Sequence, residues 1–191
     1  MNPIIFASTS SYKQQQLSAL GLKFQAVASQ FDEFHDATIP AETLSLQLSK
    51  QKAQALQSKY PQHWILGSDQ VAMTDNSVLL TKPGSKENAV KQLQASRGRK
   101  VSFYSAVTLL NNHQKLEACN QTDVYFRDLT DAEIERYVEA DNPIDCAGSF
   151  KVEALGISLF ERIDSNDPTA LIGLPLIALG GLLRQIGFAV P

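Results

Sequence analysis

Asp69 sits inside an apolar run, Trp64-Ile65-Leu66-Gly67-Ser68-Asp69-Gln70-Val71-Ala72-Met73. An ionised carboxylate in such a run carries a desolvation cost that a cation, a metal or hydrogen bonds must offset. The other charges nearby have the right types for this. Lys82 follows in Leu79-Leu80-Thr81-Lys82-Pro83, Lys52 lies upstream on a helical pattern, and Phe31-Asp32-Glu33 adds acids before it. Carboxylates interspersed with lysines are the parts needed to hold a divalent metal on a polyphosphate. Each residue alone has a plainer reading. Asp69 is equally well a structural carboxylate at a strand end, Lys52 a lysine covering apolar surface, Lys82 a turn residue before Pro83, and Glu33 part of a solvated acidic loop with Asp32 and Asp36. Their combination in this order is what points to phosphate chemistry.

A second unusual pair lies in Cys146-Ala147-Gly148-Ser149-Phe150-Lys151-Val152-Glu153. In an extended segment Lys151 and Glu153 would project to one face. That makes either a surface ion pair, worth about 0 to 1 kcal/mol, or the wall of a pocket. The familiar nucleotide motifs are missing: there is no G-x-x-x-x-G-K-[ST] and no G-x-G-x-x-G. His35, His63 and His113 are dispersed, without H-E-x-x-H, and no serine sits in G-x-S-x-G. Phosphate must therefore be held by some other arrangement, and a zinc site or serine triad is not expected.

The elements that would position these residues alternate between strand and helix. Pro3 to Ala7 predicts a short buried strand. The hydroxyl-rich Ser8-Thr9-Ser10-Ser11 is a turn able to cap a helix that stops at Gly21, and a strand follows at Phe24, Ala26 and Ala28. Pro40 opens a helix to about Ser58, on which Leu44, Leu48 and Lys52 recur every four residues, so Lys52 shares the apolar stripe. In the strand Trp64 to Met73, Asp69 shares a face with Ile65, Gly67 and Val71 while Gln70 faces the other way. Ser85 caps a helix from Lys86 to about Ala95, and the strands Val101 to Leu110 and Lys115 to Phe126 form a hairpin. Thr130-Asp131-Ala132-Glu133 is a capping box for a helix to about Ala140. Ile157 to Ile163 predicts a strand and Pro175 to Gly187 a closing helix. The whole is an α/β fold with an antiparallel portion, organised as one domain over residues 1–191.

Composition narrows the function classes. With 43% hydrophobic and 19% charged residues the chain is globular in type, and its net charge of −3 gives no general field to collect nucleic acid or an anionic membrane. Any polyanion must bind through a local cluster of lysines. The longest uncharged, apolar-rich stretch, Leu171 to Leu183, is too short to span a bilayer. Cys119 and Cys146 form no C-x-x-C, and the N-terminus lacks the pattern of a signal peptide, so a reducing cytoplasm is the expected compartment.

The segments Phe6-Ala7-Ser8-Thr9-Ser10, Phe31-Asp32-Glu33, Lys50-Gln51-Lys52-Ala53, Leu66-Gly67-Ser68-Asp69-Gln70, Lys82-Pro83, Cys146-Ala147-Gly148-Ser149-Phe150 and Ile172-Gly173-Leu174-Pro175 resemble, in order, the motif set of the Maf family of nucleoside triphosphate pyrophosphatases. Ser68-Asp69-Gln70 with Gly148-Ser149-Phe150-Lys151-x-Glu153 resembles its YceF-type branch, which acts on 7-methyl-GTP. The resemblance implies an elongated, mixed-sheet α/β fold with two lobes around a deep cleft, commonly dimeric. It also implies hydrolysis of a nucleoside triphosphate substrate between the α and β phosphates, with a divalent metal such as Mg²⁺ or Mn²⁺. By it, Asp69 matches the general base and Glu33, Lys52 and Lys82 match cleft residues; as the carboxylates that a divalent metal prefers, Glu33 and Asp69 would be its ligands, with Asp69 acting either mainly as base or mainly as ligand. Ser8, Lys13, Lys52, Lys82 and Lys151 would bind substrate, and Tyr12, Gln70 and Glu153 would select the base. Two other readings stay open: a non-catalytic nucleotide-binding regulator of cell division, and a pyrophosphatase for other purine or pyrimidine triphosphates. The chain departs from the family's usual Ser-Pro-x-Arg-Arg with Ser10-Ser11-Tyr12-Lys13-Gln14. Lys13 keeps the charge of the usual arginine but not its bidentate fork. Tyr12 replaces the branch's tryptophan, and Thr81 stands where glycine is usual.

Overall fold

Hydroxyl side chains start three of the helices. In the computed structural model, which describes residues 2–31 and 36–190, Ser10 caps α1 (Ser11–Ser18) by accepting from the Lys13 amide. Ser85 caps α3 (Lys86–Ser96) by accepting from Asn88. Thr130 and Glu133 form the reciprocal capping box of α4 (Asp131–Asp141). The remaining helices are α2 (Ala41–Gln54) and α5 (Leu176–Gln185). Among the described residues none of the helices is long and apolar enough to cross a membrane.

The strands are β1 (Ile4–Phe6), β2 (Phe24–Ala26), β3 (Ile65–Thr74), β4 (Leu79–Leu80), β5 (Lys100–Leu110), β6 (Lys115–Phe126) and β7 (Phe160–Ser165). They form one sheet in the order β2-β1-β3-β5-β6-β7, with β4 pairing β3. The strands β1, β2 and β3 are mutually parallel in their pairs, whereas β3, β5, β6 and β7 run antiparallel. This is the α/β fold with an antiparallel portion that the alternation of helix and strand predicts.

The long strands carry two apolar cores on one face, separated by a polar band. At one end Leu66, Val107 and Leu109 pack with α1 and α5 through Leu17, Leu179 and Leu183. At the other, Ala72, Val101, Phe103 and Val124 pack with α3, α4 and Phe150. Between them the register aligns Gln70 with Ser105, and Ser105 with Asn120. Polar side chains at mid-strand break what would otherwise be one continuous core, and the segment carrying Ala170 and Leu171 bonds across them.

The opposite face is covered by α2, docked unusually close. Gly67 makes this possible: a methyl group there would overlap the Ser49 carbonyl oxygen and press on the Ala53 Cβ at 3.0 Å. The fully buried hydroxyls of Ser49 and Thr108, 2.8 Å apart, tie the same turn of α2 to β5. Leu44 and Leu48 pack on Val71 as the four-residue stripe predicts, and Lys52 continues that stripe toward β3.

Three local expectations are corrected. The run from Ile157 begins as a 3-10 turn, Leu155–Leu159, and the strand starts only at Phe160. The Ser158 hydroxyl bonds the Leu155 carbonyl at 2.7 Å, and Leu155 and Ile157 are exposed, so their apolar character marks no buried strand. Lys151 and Glu153 lie in a turn, closed by hydrogen bonds from Ala154 and Gly156 to the Lys151 carbonyl, so there is no pleat to put both on one face. α2 ends at Gln54, after which i to i+3 hydrogen bonds carry the chain to Lys59.

Replacing Gly67 with alanine is expected to cost about 1 to 3 kcal/mol, because the added methyl must push α2 away from the sheet. Urea unfolding measures this directly; a change no larger than about 0.5 kcal/mol, the range of neutral surface substitutions, would show that the close approach does not matter.

Candidate active site

The cleft is a gap along one edge of β3. β1 accompanies β3 only through the pair Phe6 and Leu66, and β4 rejoins the same strand only at Ala72. Along the residues between, no strand among those described continues the sheet on that side. The edge opens into a cleft of about 760 Å³ lined by Ser8, Tyr12, Lys13, Lys52, Asp69, Gln70, Lys82 and Glu153, among others. The structure thus gathers eight of the site residues expected from sequence around one space. Lys151 is not among the lining residues. Glu33, with its neighbour Asp32, lies outside the described residues.

Asp69 is 5% exposed. Its Oδ1 accepts from the Lys52 ammonium at 2.5 Å, the one close to α2's last turn and the other at mid-strand. The close packing at Gly67 holds the two elements at this separation. Lys13, in the first turn of α1, donates to the Ser68 hydroxyl at 3.0 Å and lies near its carbonyl at 3.4 Å. Its stem runs over Gly173, where an added methyl would meet the Lys13 Cε at 2.9 Å. The Ser8 hydroxyl accepts from the Ser10 amide at 3.2 Å, which shapes the turn leading into α1. That turn and the start of α1 line the cleft from Ser8 to Lys13. Lys82 is exposed on the loop after β4.

On the other face of β3, Gln70 is oriented by its neighbours. Its Nε2 lies 2.9 Å from the Ser105 hydroxyl and 3.1 and 3.0 Å from the carbonyls of Ala170 and Leu171. Carbonyls only accept, so the NH₂ end must face them, and the amide oxygen is what Gln70 retains for a ligand. The Lys151 ammonium bonds the Asp141 and Asn142 carbonyls at the end of α4. Burial works against its charge, but the Tyr12 phenol and Asp145 outweigh that and raise its pKa. Cys146, also in the lining, is pushed up to about 12, first by burial and then by Asp145. Its surroundings thus favour the neutral thiol over the thiolate that a nucleophile requires.

Ser105 and the carbonyls of Ala170 and Leu171 belong to the site as supports, and the sequence reading did not include them. Gln16 fixes the same loop by donating to the Thr169 carbonyl and accepting from the Leu174 amide. Asp167 bonds the Thr169 hydroxyl and the Ile177 amide at the start of α5. Asp167-Pro168-Thr169 carries a turn signature, but nothing in it says which strand the loop will cross.

A divalent cation was expected at Asp69 and Glu33. Among the described residues no group of three or more Asp, Glu, His or Cys side chains is arranged to hold a metal. One buried carboxylate on the wall of the cleft nonetheless fits a Mg²⁺-type site, because that ion takes one or two carboxylates and completes its shell with water and substrate phosphates.

Comparison with known proteins places the chain. The sequence profile described as Maf-like protein matches residues 3–186. A protein named 7-methyl-GTP pyrophosphatase from Xanthomonas oryzae pv. oryzae is 48% identical, with 100% of both chains covered. One of that name from Hahella chejuensis is 47% identical over 98% of this chain and 96% of its own. Another from Pseudomonas aeruginosa is 44% identical over the full length of both. The motifs that line the cleft and the match along nearly the whole sequence agree: the chain belongs to the Maf family.

Proposed function

We propose that the chain is a metal-dependent nucleoside triphosphate pyrophosphatase, with 7-methyl-GTP as its preferred substrate. The observation that carries this reading is the Asp69–Lys52 pair at the free edge of β3, with the capped turn of α1, Lys13 and Lys82 around the same cleft. A carboxylate held next to an ammonium and aimed into a cleft can orient or deprotonate a water. Lysines from three separate elements can neutralise a triphosphate along its length, in contrast to a P-loop, in which one glycine-rich loop and its lysine cradle the phosphates.

In this mechanism the α1 turn and Lys13 bind phosphate oxygens, and Lys82 closes on them from the opposite loop. Lys52 holds Asp69 aligned through their ion pair, and Asp69 accepts the proton of the water that attacks phosphorus. A divalent ion, held by Asp69 and Glu33, would supply charge neutralisation on the phosphate oxygens. The products are a nucleoside monophosphate and pyrophosphate.

The proposed base preference rests on three relatives named for 7-methyl-GTP and on charge placement in the cleft. Lys13, Lys52 and Lys82 line the cleft together with Asp69, Asp145 and Glu153, and the last two act on the Cys146 thiol against Lys151. A ring made cationic by N7 methylation, joined to a polyanionic tail, can use both kinds of charge. Tyr12 offers an aromatic face, worth roughly 0.5 to 2 kcal/mol to a cation. The Gln70 oxygen and Glu153 can accept from guanine N–H donors.

A panel of triphosphates including 7-methyl-GTP, assayed with Mg²⁺ or Mn²⁺ for pyrophosphate and orthophosphate, tests the reading. Pyrophosphate as first product is expected; orthophosphate first would overturn the reaction assignment, and binding without turnover would favour a regulator. Asp69→Asn should fold and lose about 10²- to 10⁴-fold in turnover, checked by kinetics alongside circular dichroism; unchanged turnover would leave Asp69 a purely structural role. Glu153→Ala should lower kcat/KM for 7-methyl-GTP more than for GTP or pyrimidine triphosphates. An equal fall on every substrate would remove Glu153 from base selection.

A further inference from the structure

Helix α3 contributes no residue to the cleft lining, yet one of its side chains bonds both walls. Gln92 donates from Nε2 to the Thr81 carbonyl at 3.0 Å and accepts at Oε1 from the Ser149 hydroxyl at 2.6 Å. The carbonyl of Thr81 can only accept, so the amide can have no other orientation that satisfies both bonds. Thr81 is the residue before Lys82 on one wall. Ser149 is the residue before Phe150 on the other, and Phe150 lines the cleft edge-on to Phe103, with ring centroids 5.2 Å apart.

The Ser149 wall needs such a tether. Gly148 and Ser149 both have left-handed backbones, φ +78° and +62°, and for serine that conformation is disfavoured. Ser149 is fully buried, so its hydroxyl requires a partner inside the protein, and Gln92 is that partner. Gly148 lies against the Phe103 ring, where a methyl group would come within 2.9 Å of Cζ. Small movements of this backbone are therefore passed to the aromatic wall. The Lys82 loop is held to the same helix by Asn88, which donates to the Pro83 carbonyl at 3.0 Å. Its end reaches the opposite wall through the Gly84 amide, 3.0 Å from the Ile144 carbonyl.

We propose that Gln92 is a positioning residue that sets the spacing between the Lys82 wall and the Ser149–Phe150 wall, so that one ligand meets phosphate-side and base-side contacts together. This rests on reading the cleft as a nucleoside triphosphate site. Gln92 touches neither substrate nor the reacting atoms; it acts through the two loops.

The test joins hydrogen–deuterium exchange of the full chain with steady-state kinetics on the best triphosphate. Gln92→Ala is expected to speed exchange in both 79–84 and 145–150 while 86–96 stays protected. Ser149→Ala is expected to free 145–150 alone. Gln92→Glu can still accept from Ser149 but cannot donate to Thr81, so it is expected to free 79–84 alone. In Gln92→Ala, KM should rise about tenfold, the scale of one net hydrogen bond, with kcat within about threefold. Unchanged exchange in either loop, faster exchange throughout α3, or loosened loops with unaltered KM would each overturn the proposal. Should Gln92→Ala fail to fold, the opposite loop selectivity of Gln92→Glu and Ser149→Ala decides it. A wild-type protein that releases no pyrophosphate from any triphosphate would instead overturn the functional reading, and the exchange pattern would still decide for or against the clamp.

Discussion

The structure is organised around one constraint: a carboxylate placed at mid-strand in a mostly apolar sheet must be given a cation. Asp69 gets it from Lys52, and the two side chains are 7% and 13% exposed. Both charges lose much of their hydration, so the pair persists only if its geometry is held from outside. That hold is the docking of α2 on β3. Gly67, two residues before Asp69 on the same face, removes the side chain that would keep the helix away. Ser49 and Ala53, flanking Lys52 in α2, fill the space. Ser49 and Thr108 then lock the helix to the next strand with a buried hydroxyl pair. The packing of the fold and the alignment of the candidate catalytic carboxylate are thus one arrangement.

The same requirement accounts for where the cleft lies. A sheet that continued past Asp69 on the β1 side would bury the carboxylate completely, but β1 ends opposite Leu66 and β4 begins only at Ala72. The gap lets α1's capped N-terminus approach from one side and the loops around Lys82 and Phe150 from the other. On the far face Gln70 and Ser105 are committed to the carbonyls of Ala170 and Leu171, which pins a C-terminal loop across the polar band between the two apolar cores. Lysines and acids both line the cleft, Lys13, Lys52 and Lys82 with Asp69, Asp145 and Glu153. The pyrophosphatase reading draws on that mixture of charges as much as on any single residue.

Much of this was legible in the sequence because it is local. The four-residue spacing of Leu44, Leu48 and Lys52 placed the lysine on the buried stripe, and period two placed Asp69 and Gln70 on opposite faces. Ser85 and Thr130 marked their helices through side-chain capping of nearby amides. What the sequence hid depends on contacts distant along the chain. β4 is two residues long and exists because β3 offers it an edge. Lys151 and Glu153 looked like an extended pair, but hydrogen bonds back to the Lys151 carbonyl wind that segment into a turn. Gln92 is an unremarkable polar residue of an amphipathic helix until the fold brings Thr81 and Ser149 to it. The motif resemblance named eight residues that line the cleft, along with Lys151, which does not, and it had no means of finding those that hold the walls.

The central claim is that Lys52 and Asp69 act as one unit, set by the docking of α2 on β3. A double-mutant cycle on kcat/KM with Lys52→Met, Asp69→Asn and the combined variant tests it most directly. If the pair is a unit, the double variant will be about as slow as the slower single variant, as expected when either loss already disables the shared function. If the two losses instead multiply, Lys52 and Asp69 serve the reaction independently, and the account of the site as built around their pairing is wrong.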